Sequence, residues 1–288
     1  MKDGKFTHGN TVAPTETRVF PLLSLKGRTA IVCGGGSGIG FAVVEAYAEA
    51  GANVAIWYHS NNEAPKKADA IEREYGVKCR AYKIDVTMAD DVETAVNEQI
   101  KEFNGRLDIF VANSGIPWTK GPVIEGPLEH YRDVMSINPD GVFYCARAYG
   151  KVWKRQMCTG TDVFGNKLHN YSYGSFIATA SMSGHIVNIP SVQAAYNASK
   201  AAVSHLCKSL AVEWCQYARA NSVSPGYIET EISTFASAET KNTWKDKIPM
   251  GREGQPHEMK GVYLFLASDA SSYTSGSDLI IDGAYTCV

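Results

Sequence analysis

Thr29-Ala30-Ile31-Val32-Cys33-Gly34-Gly35-Gly36-Ser37-Gly38-Ile39-Gly40 is the stretch that decides how this chain folds. A short apolar run meets a glycine-rich turn, and residues 41–50 continue as an apolar helix that Gly51 terminates. A continuous apolar strand of this length is buried on both faces, as strands of parallel sheets are. Glycines 34, 38 and 40 let the chain turn tightly and let a phosphate approach the backbone. The helix that follows offers free N–H groups and a positive dipole end, so Ser37 and Ile39 fall within a candidate phosphate cradle. A glycine triplet alone is a weak signal; strand, turn and helix in succession strengthen it. The spacing here is GxxxGxG, not GxGxxG.

Outward from this unit the pattern repeats. Strands are predicted at 54–58, 79–85 and 107–112, separated by a charged helix at 66–75 and an amphipathic one at 90–103. Such alternation builds βαβ units and a parallel sheet. Residues 128–157 read as one long helical stretch, bent where Pro139 removes a helix hydrogen bond just after Asn138. A strand at 175–180, a long helix at 191–217 and strands at 221–223 and 279–281 complete the outline. The expected organisation is an N-terminal arm (1–24) and one α/β domain (25–288), with a mobile lid near 227–250, where periodicity is weak. The segment 158–174, rich in Gly, Asn, Thr and Tyr, joins a helix to a strand. Ligands of open α/β sheets bind beyond the carboxyl ends of the strands, so this segment is read as a surface excursion or a contact to a partner subunit.

The composition narrows the function. With 288 residues, 44% of them hydrophobic, the chain can bury a large core. A net charge of −2 lacks the basic excess of a nucleic-acid surface. No apolar run approaches 18 residues, so no membrane span is expected, and the polar N-terminus lacks a signal-peptide core. The seven cysteines (33, 79, 145, 158, 207, 215 and 287) form no CxxC pair and no zinc spacing with histidine. They read as free thiols of a soluble, cytoplasmic protein without a structural metal.

The chemistry sits in Tyr196-Asn197-Ala198-Ser199-Lys200, with Ser181 fifteen residues upstream. A Tyr and a Lys four apart share one face of a helix. A phenol at its ordinary pKa of about 10 exchanges protons poorly at neutral pH. A neighbouring ammonium is expected to lower that value and make Tyr196 a usable acid and base. A serine hydroxyl opposite can hold a carbonyl oxygen. Together these groups suit proton transfer to a carbonyl or from a carbinol.

With GxxxGxG, Asn113-Ser114-Gly115, Asn138, Ser181, YxxxK and Pro225-Gly226 in order, the chain resembles the short-chain dehydrogenase/reductase family over roughly residues 25–288. Val54-Ala55-Ile56-Trp57-Tyr58, the run 181–188 and the ending 281–287 look like a fungal subgroup of NADPH-dependent carbonyl reductases, sorbose reductases and mannitol dehydrogenases. The resemblance implies a Rossmann-type three-layer sandwich with a mostly parallel, seven-stranded sheet. It also implies a nicotinamide dinucleotide, an Asn138-Ser181-Tyr196-Lys200 tetrad and a homotetramer or homodimer. Ser183 competes with Ser181 for the serine role. By family position Asp85 and Val86 flank the adenine, Asn113 to Gly115 the adjacent ribose, and Ile228 and Thr230 the carboxamide after the Pro225-Gly226 turn. For Asp85 a helix cap before Thr87 is an alternative or additional role. Lys200 is expected to bind the nicotinamide ribose, and Asn138 to hold a water linking Lys200 to solvent. Cys33 replaces the usual Thr and is expected to loosen the glycine turn, because sulfur hydrogen-bonds poorly.

Tyr58 stands where NAD-preferring relatives carry Asp, and no acid follows until Glu63. Ser60 and Asn61 can donate to a 2′-phosphate, so NADPH/NADP+ is the expected cofactor. Candidate substrate residues are Trp118, His185, Ile186, Val187, Asn188, Tyr227, Phe235 and Trp244. The substrate expected first is a ketose or polyol, then a small carbonyl compound, then a secondary-metabolite ketone taken by a tailoring ketoreductase. A non-catalytic NADP-binding redox sensor is the reading from another class, but such proteins usually lack the Tyr or Lys. Helix 191–217, with Val203, Leu206, Leu210 and Val212, either forms a subunit interface or faces its own sheet.

Overall fold

The computed structural model describes residues 4–9 and 11–288, apart from the side chains of Ile232 and Phe235. After a one-turn helix α1 (Val19–Leu22) the chain alternates β1 (Thr29–Cys33), α2 (Gly38–Glu49), β2 (Asn53–Tyr58), α3 (Ala64–Tyr75), β3 (Cys79–Lys83), α4 (Ala89–Glu102) and β4 (Ile109–Ala112). Helices α5 (Leu128–Met135) and α6 (Gly141–Thr159) lead to β5 (Gly174–Thr179), and α7 (Ala194–Glu213) to β6 (Ala218–Pro225). Helices α8 (Ala238–Lys247) and α9 (Lys260–Ala267) precede β7 (Asp278–Ile281).

The seven strands form one sheet in the order β3-β2-β1-β4-β5-β6-β7, and every pairing is parallel. The central strands β1, β2, β4 and β5 alternate their side chains between two buried faces. Ile31, Cys33, Ala55, Trp57, Phe110, Ala112, Phe176 and Ala178 join one core with α4, α6 and α7. Ala30, Val32, Val54, Ile56, Ile109, Val111 and Ile177 join the other with α2, α3 and α9. This double burial is why the strands read as unbroken apolar runs. The strand order reverses between β1 and β4, which opens a crevice at their carboxyl ends.

Several expectations shift. The sheet is parallel throughout. At Pro139 the helix is interrupted: residues Ser136–Asp140 form a π-helical turn between α5 and α6, which accommodates the missing N–H. The long helix is shorter than expected, ending at Glu213, and its Val203 and Leu210 are buried against the sheet while Val212 is exposed. Residues 227–250 contain α8, with Trp244 buried. Helix α9 lies in a stretch to which the sequence assigned no element. No residue between 158 and 174 lines the cleft described below. That excursion is tied down at the opposite edge, where Arg106 donates to the carbonyls of His169 (2.6 Å) and Asn170 (3.2 Å) and pairs with Asp108. Among the described residues no helix is long and apolar enough to cross a membrane.

Candidate active site

A cleft of about 550 Å³ opens at the carboxyl ends of β1, β4, β5 and β6. Its first half is the glycine turn. Gly34 and Gly38 have φ of +67° and +52°, a region where a β-carbon is strained. The turn is pinned by two bonds, and a third holds the residue that makes one of them. Gly35 N–H donates to Trp57 O (3.1 Å), Asn113 Nδ2 donates to Gly34 O (3.3 Å), and Thr179 Oγ1 donates to Asn113 Oδ1 (3.0 Å). Cys33 does not loosen it: Sγ lies 2.9 Å from Ser114 Oγ, and the residue is buried. Ser114 thus gives the buried thiol a hydrogen-bonding partner.

Gly40 is absent from the lining of the cleft. A β-carbon there would overlap the Gly34 carbonyl oxygen, so Gly40 serves the contact between α2 and the turn, not the ligand. The remaining cofactor candidates (Gly34, Ser37, Gly38, Ile39, Tyr58, Ser60, Asp85, Val86, Asn113, Gly115, Pro225, Gly226, Ile228 and Thr230) all line the cleft. Asn61 lines it as well, but its Nδ2 is already committed to Gly36 O (2.9 Å). Lys67 reaches the same carbonyl (2.7 Å) while lying over the Phe41 ring at 4.6 Å. This cation comes from α3, and no local spacing announces it. Asp85 accepts from Thr87 N–H and Oγ1 at 2.9 and 2.7 Å, which holds its carboxyl below the usual range. It closes a turn; the helix cap proper is Met88, so the capping alternative fails by three residues.

The second half of the cleft is built on α7. Tyr196 and Lys200 lie one turn apart, with Lys200 Nζ 5.7 Å from the Tyr196 ring centroid. Ser181 stands at the mouth of a 3-10 turn, Met182–Gly184, where its Oγ accepts from Ser183 N–H (3.1 Å). Ser181, not Ser183, is the hydroxyl that lowers the Tyr196 pKa, which favours Ser181 as its partner. Lys200 Nζ donates to Thr179 O (2.8 Å). A β-carbon on Gly115 would lie 3.2 Å from both Lys200 Nζ and Asn138 Oδ1, so the absence of a side chain there leaves that space open.

One expectation is corrected. Burial of the phenol raises the pKa of Tyr196, and the bond from Ser181 offsets this only in part. Burial also lowers the pKa of the Lys200 ammonium, to about 8. The Asn138 side chain is anchored by protein, with the second lone pair of Oδ1 still able to accept from a water. Its Oδ1 accepts from Ile116 N–H (2.9 Å), and Nδ2 donates to Ile116 O (3.1 Å) and Ser199 Oγ (2.9 Å). Ser199 in turn donates to Tyr196 O (2.8 Å), which ties the π-helical turn to the helix carrying Tyr196.

Of the substrate candidates, Asn188, Tyr227 and Trp244 line the cleft, and the Tyr227 and Trp244 rings stack at 4.1 Å and 9°. Trp118 is buried against Val134, Ala195 and Tyr196, its Nε1 donating to Gly121 O (2.7 Å). His185 turns away to Asp278 (2.6 Å), Ile186 packs on Met182, Ile248 and Tyr285, and Val187 is 77% exposed. These four lie outside the lining; the side chain of Phe235 lies outside the described residues. The sequence missed Gln193, which lines the cleft one turn before Tyr196. Its i, i+3 spacing to the tyrosine was the available signal.

A family model described as enoyl-(acyl carrier protein) reductase matches residues 34–286. The chain is 62% identical over 286 residues to the L-xylulose reductase of Hypocrea jecorina (strain QM6a), covering 99% of each. It is 50% identical over 288 residues to a probable NADP-dependent mannitol dehydrogenase of Yarrowia lipolytica, covering 98% of each. Its fold matches the crystal structure of an NADPH-dependent 3-quinuclidinone reductase from Rhodotorula rubra with a TM-score of 0.87 at 39% identity, covering 99% of this chain and 100% of that one.

Proposed function

The chain belongs to the short-chain dehydrogenase/reductase family, and from that premise we infer that it is an NADPH-dependent ketose reductase that also runs the reverse oxidation of a polyol. One observation carries the reading. A phosphate-ready glycine turn and a Tyr196–Ser181 pair with Lys200 beside it open into one cleft, whose far end is lined by Asn188, Gln193 and Ser183.

The residues fit a dinucleotide. The backbone at Gly34 and Gly38 is open where a β-carbon would approach Ser114 N (3.0 Å) and Thr230 Cγ2 (3.1 Å), and α2 points its N-terminus into the cleft. Tyr58, His59 and Ser60 close the adenosine end with no carboxylate among them, which suits a 2′-phosphate. When bound, NADPH supplies the hydride for the ketone carbon. Tyr196 donates the proton that the new alkoxide needs, and its raised pKa keeps it protonated at neutral pH. Ser181 donates to the same oxygen and stabilises its developing charge. Lys200, held by Thr179 O, presents its ammonium to the cofactor ribose and to Tyr196. Asn138 acts as a brace: it fixes Ile116 and, through Ser199, the backbone of Tyr196. Ketone, NADPH and a proton thus become alcohol and NADP+.

The finer features belong to the same proposal: a cytoplasmic homotetramer, one domain over 25–288, and a lid at 227–250. The lid is supported by Thr230 abutting the glycine turn while Trp244 stacks on Tyr227 at the far end. Light scattering reads the assembly. The activity is tested by following absorbance at 340 nm with L-xylulose, L-sorbose, D-fructose, an acetophenone and a β-keto ester, each with NADPH and NADH. The expected result is rapid NADPH oxidation with a ketose. Turnover of only the aryl ketone or keto ester overturns the ketose assignment, and equal kcat/KM with NADH overturns the cofactor preference.

A further inference from the structure

Beyond the reacting groups, the cleft holds a network of neutral amides and hydroxyls that the reaction as described does not use. Gln193 is its hub. Its Nε2 lies 2.9 Å from Asn188 Oδ1, 3.0 Å from Asn197 Oδ1 and 3.2 Å from Ser183 Oγ. An amide nitrogen carries two hydrogens, so three acceptors compete for two donors. Asn188 passes the network on, its Nδ2 donating to Tyr227 OH (3.2 Å). Asn188 and Ser183 are only 3% and 4% exposed, so their positions are set by packing. Gln193, Asn188, Ser183 and Tyr227 all line the cleft beside Tyr196.

We propose that Gln193 and Asn188 form a hydroxyl-reading arm that selects open-chain, uncharged polyhydroxy ketones over ketones without hydroxyl groups; this deepens the ketose reading and rests on it. A hydroxyl both donates and accepts, so it supplies the donor the three acceptors lack and takes a bond in return. A ketone without hydroxyls leaves the shortage in place and shuts out solvent that could relieve it. The cleft offers no cation to spare for a phosphorylated sugar. Among the described lining residues Lys200 is the sole Lys or Arg, and Glu231 sets a carboxylate on the wall. The arm begins one helical turn before Tyr196, so a bound carbon chain has its carbonyl at Tyr196 and its hydroxyls along the arm.

The test uses the full chain with Gln193→Met and, separately, Asn188→Leu. Steady-state kinetics with NADPH are measured on L-xylulose and on butane-2,3-dione, which has no hydroxyl. The expected result is a 10- to 100-fold lower kcat/KM for L-xylulose, carried by KM, with less than about 3-fold change for butane-2,3-dione. Equal losses on both ketones, or a loss confined to kcat, make the arm a support for Tyr196 and overturn the proposal. Unchanged L-xylulose kinetics in both variants overturn it as well. A wild-type enzyme that reduces butane-2,3-dione but no ketose is a separate result, which removes the ketose reading itself. NADPH titration by fluorescence and thermal melting check that each variant is folded, and Gln193→Met stands alone if the buried Asn188→Leu fails to fold.

Discussion

Tyr196 and Lys200 show how a two-residue spacing is legible while its electrostatics are not. The i, i+4 pair lands on one helix face as read, because helix geometry is local. The direction of the phenol shift is opposite to expectation, because burial by distant elements disfavours the charged phenolate. Tyr196→Phe is expected to lower kcat by about 10²–10⁴-fold, the usual contribution of a positioned acid, with NADPH affinity nearly unchanged by fluorescence titration. Lys200 has a native pKa of about 8, below its unfolded value. Below that pH the fold carries a buried charge. As pH rises through 8 towards 10 the unfolded chain binds more protons than the native one, so this residue adds stability with rising pH. Urea unfolding of wild type and Lys200→Met should therefore show a stability difference that moves in favour of wild type between pH 7 and 10. Ketone reduction should decline above about pH 8 as the ammonium is lost.

At the scale of elements, the glycine turn separates glycines that serve a ligand from one that serves packing. An alanine inside a helix normally gains about 1 kcal/mol over glycine. In α2 that gain is outweighed at Gly40, where the new methyl would overlap Gly34 O and sit 2.7 Å from Asn113 Nδ2. Gly40→Ala should lose about 1–3 kcal/mol in urea unfolding and weaken NADPH binding at least tenfold, since the turn must shift. At Gly36 the same methyl meets Asn61 Cβ at 3.3 Å, and Gly36→Ala should change both quantities little. The elements that escaped sequence reading lack a stripe. Helix α8 is polar all round with Trp244 as its sole buried side chain, held by a ring stack on Tyr227 from another element. Helix α9 is apolar on nearly every side, which erases the 3.6 period.

At the scale of the whole molecule, the parallel sheet puts the cleft at one edge and the 158–174 excursion at the other. Arg106 anchors that far edge through Asp108 and the carbonyls of His169 and Asn170. Asp108 is buried and also accepts from Thr29 N–H (2.9 Å), so its charge is uncompensated without Arg106. Arg106→Met should cost roughly 3–5 kcal/mol in urea unfolding and speed proteolysis between 160 and 173. Measured well below its melting temperature, the variant should keep wild-type KM for NADPH, because no residue of the excursion lines the cleft.

The sequence by itself determined what nearest neighbours along the chain decide: apolar runs buried on both faces, a glycine turn feeding a helix, and a tyrosine one turn from a lysine. Those features follow from backbone geometry over a few residues. Tertiary structure alone decided which candidates face the cleft. It turned His185 towards Asp278, anchored Asn138 on Ile116 and Ser199, and brought Lys67 to a carbonyl 31 residues away. It also gathered Asn188 and Ser183 around Gln193. Burial and hydrogen-bond competition depend on which elements meet, and that is set by the order of strands in the sheet rather than by any local run of residues.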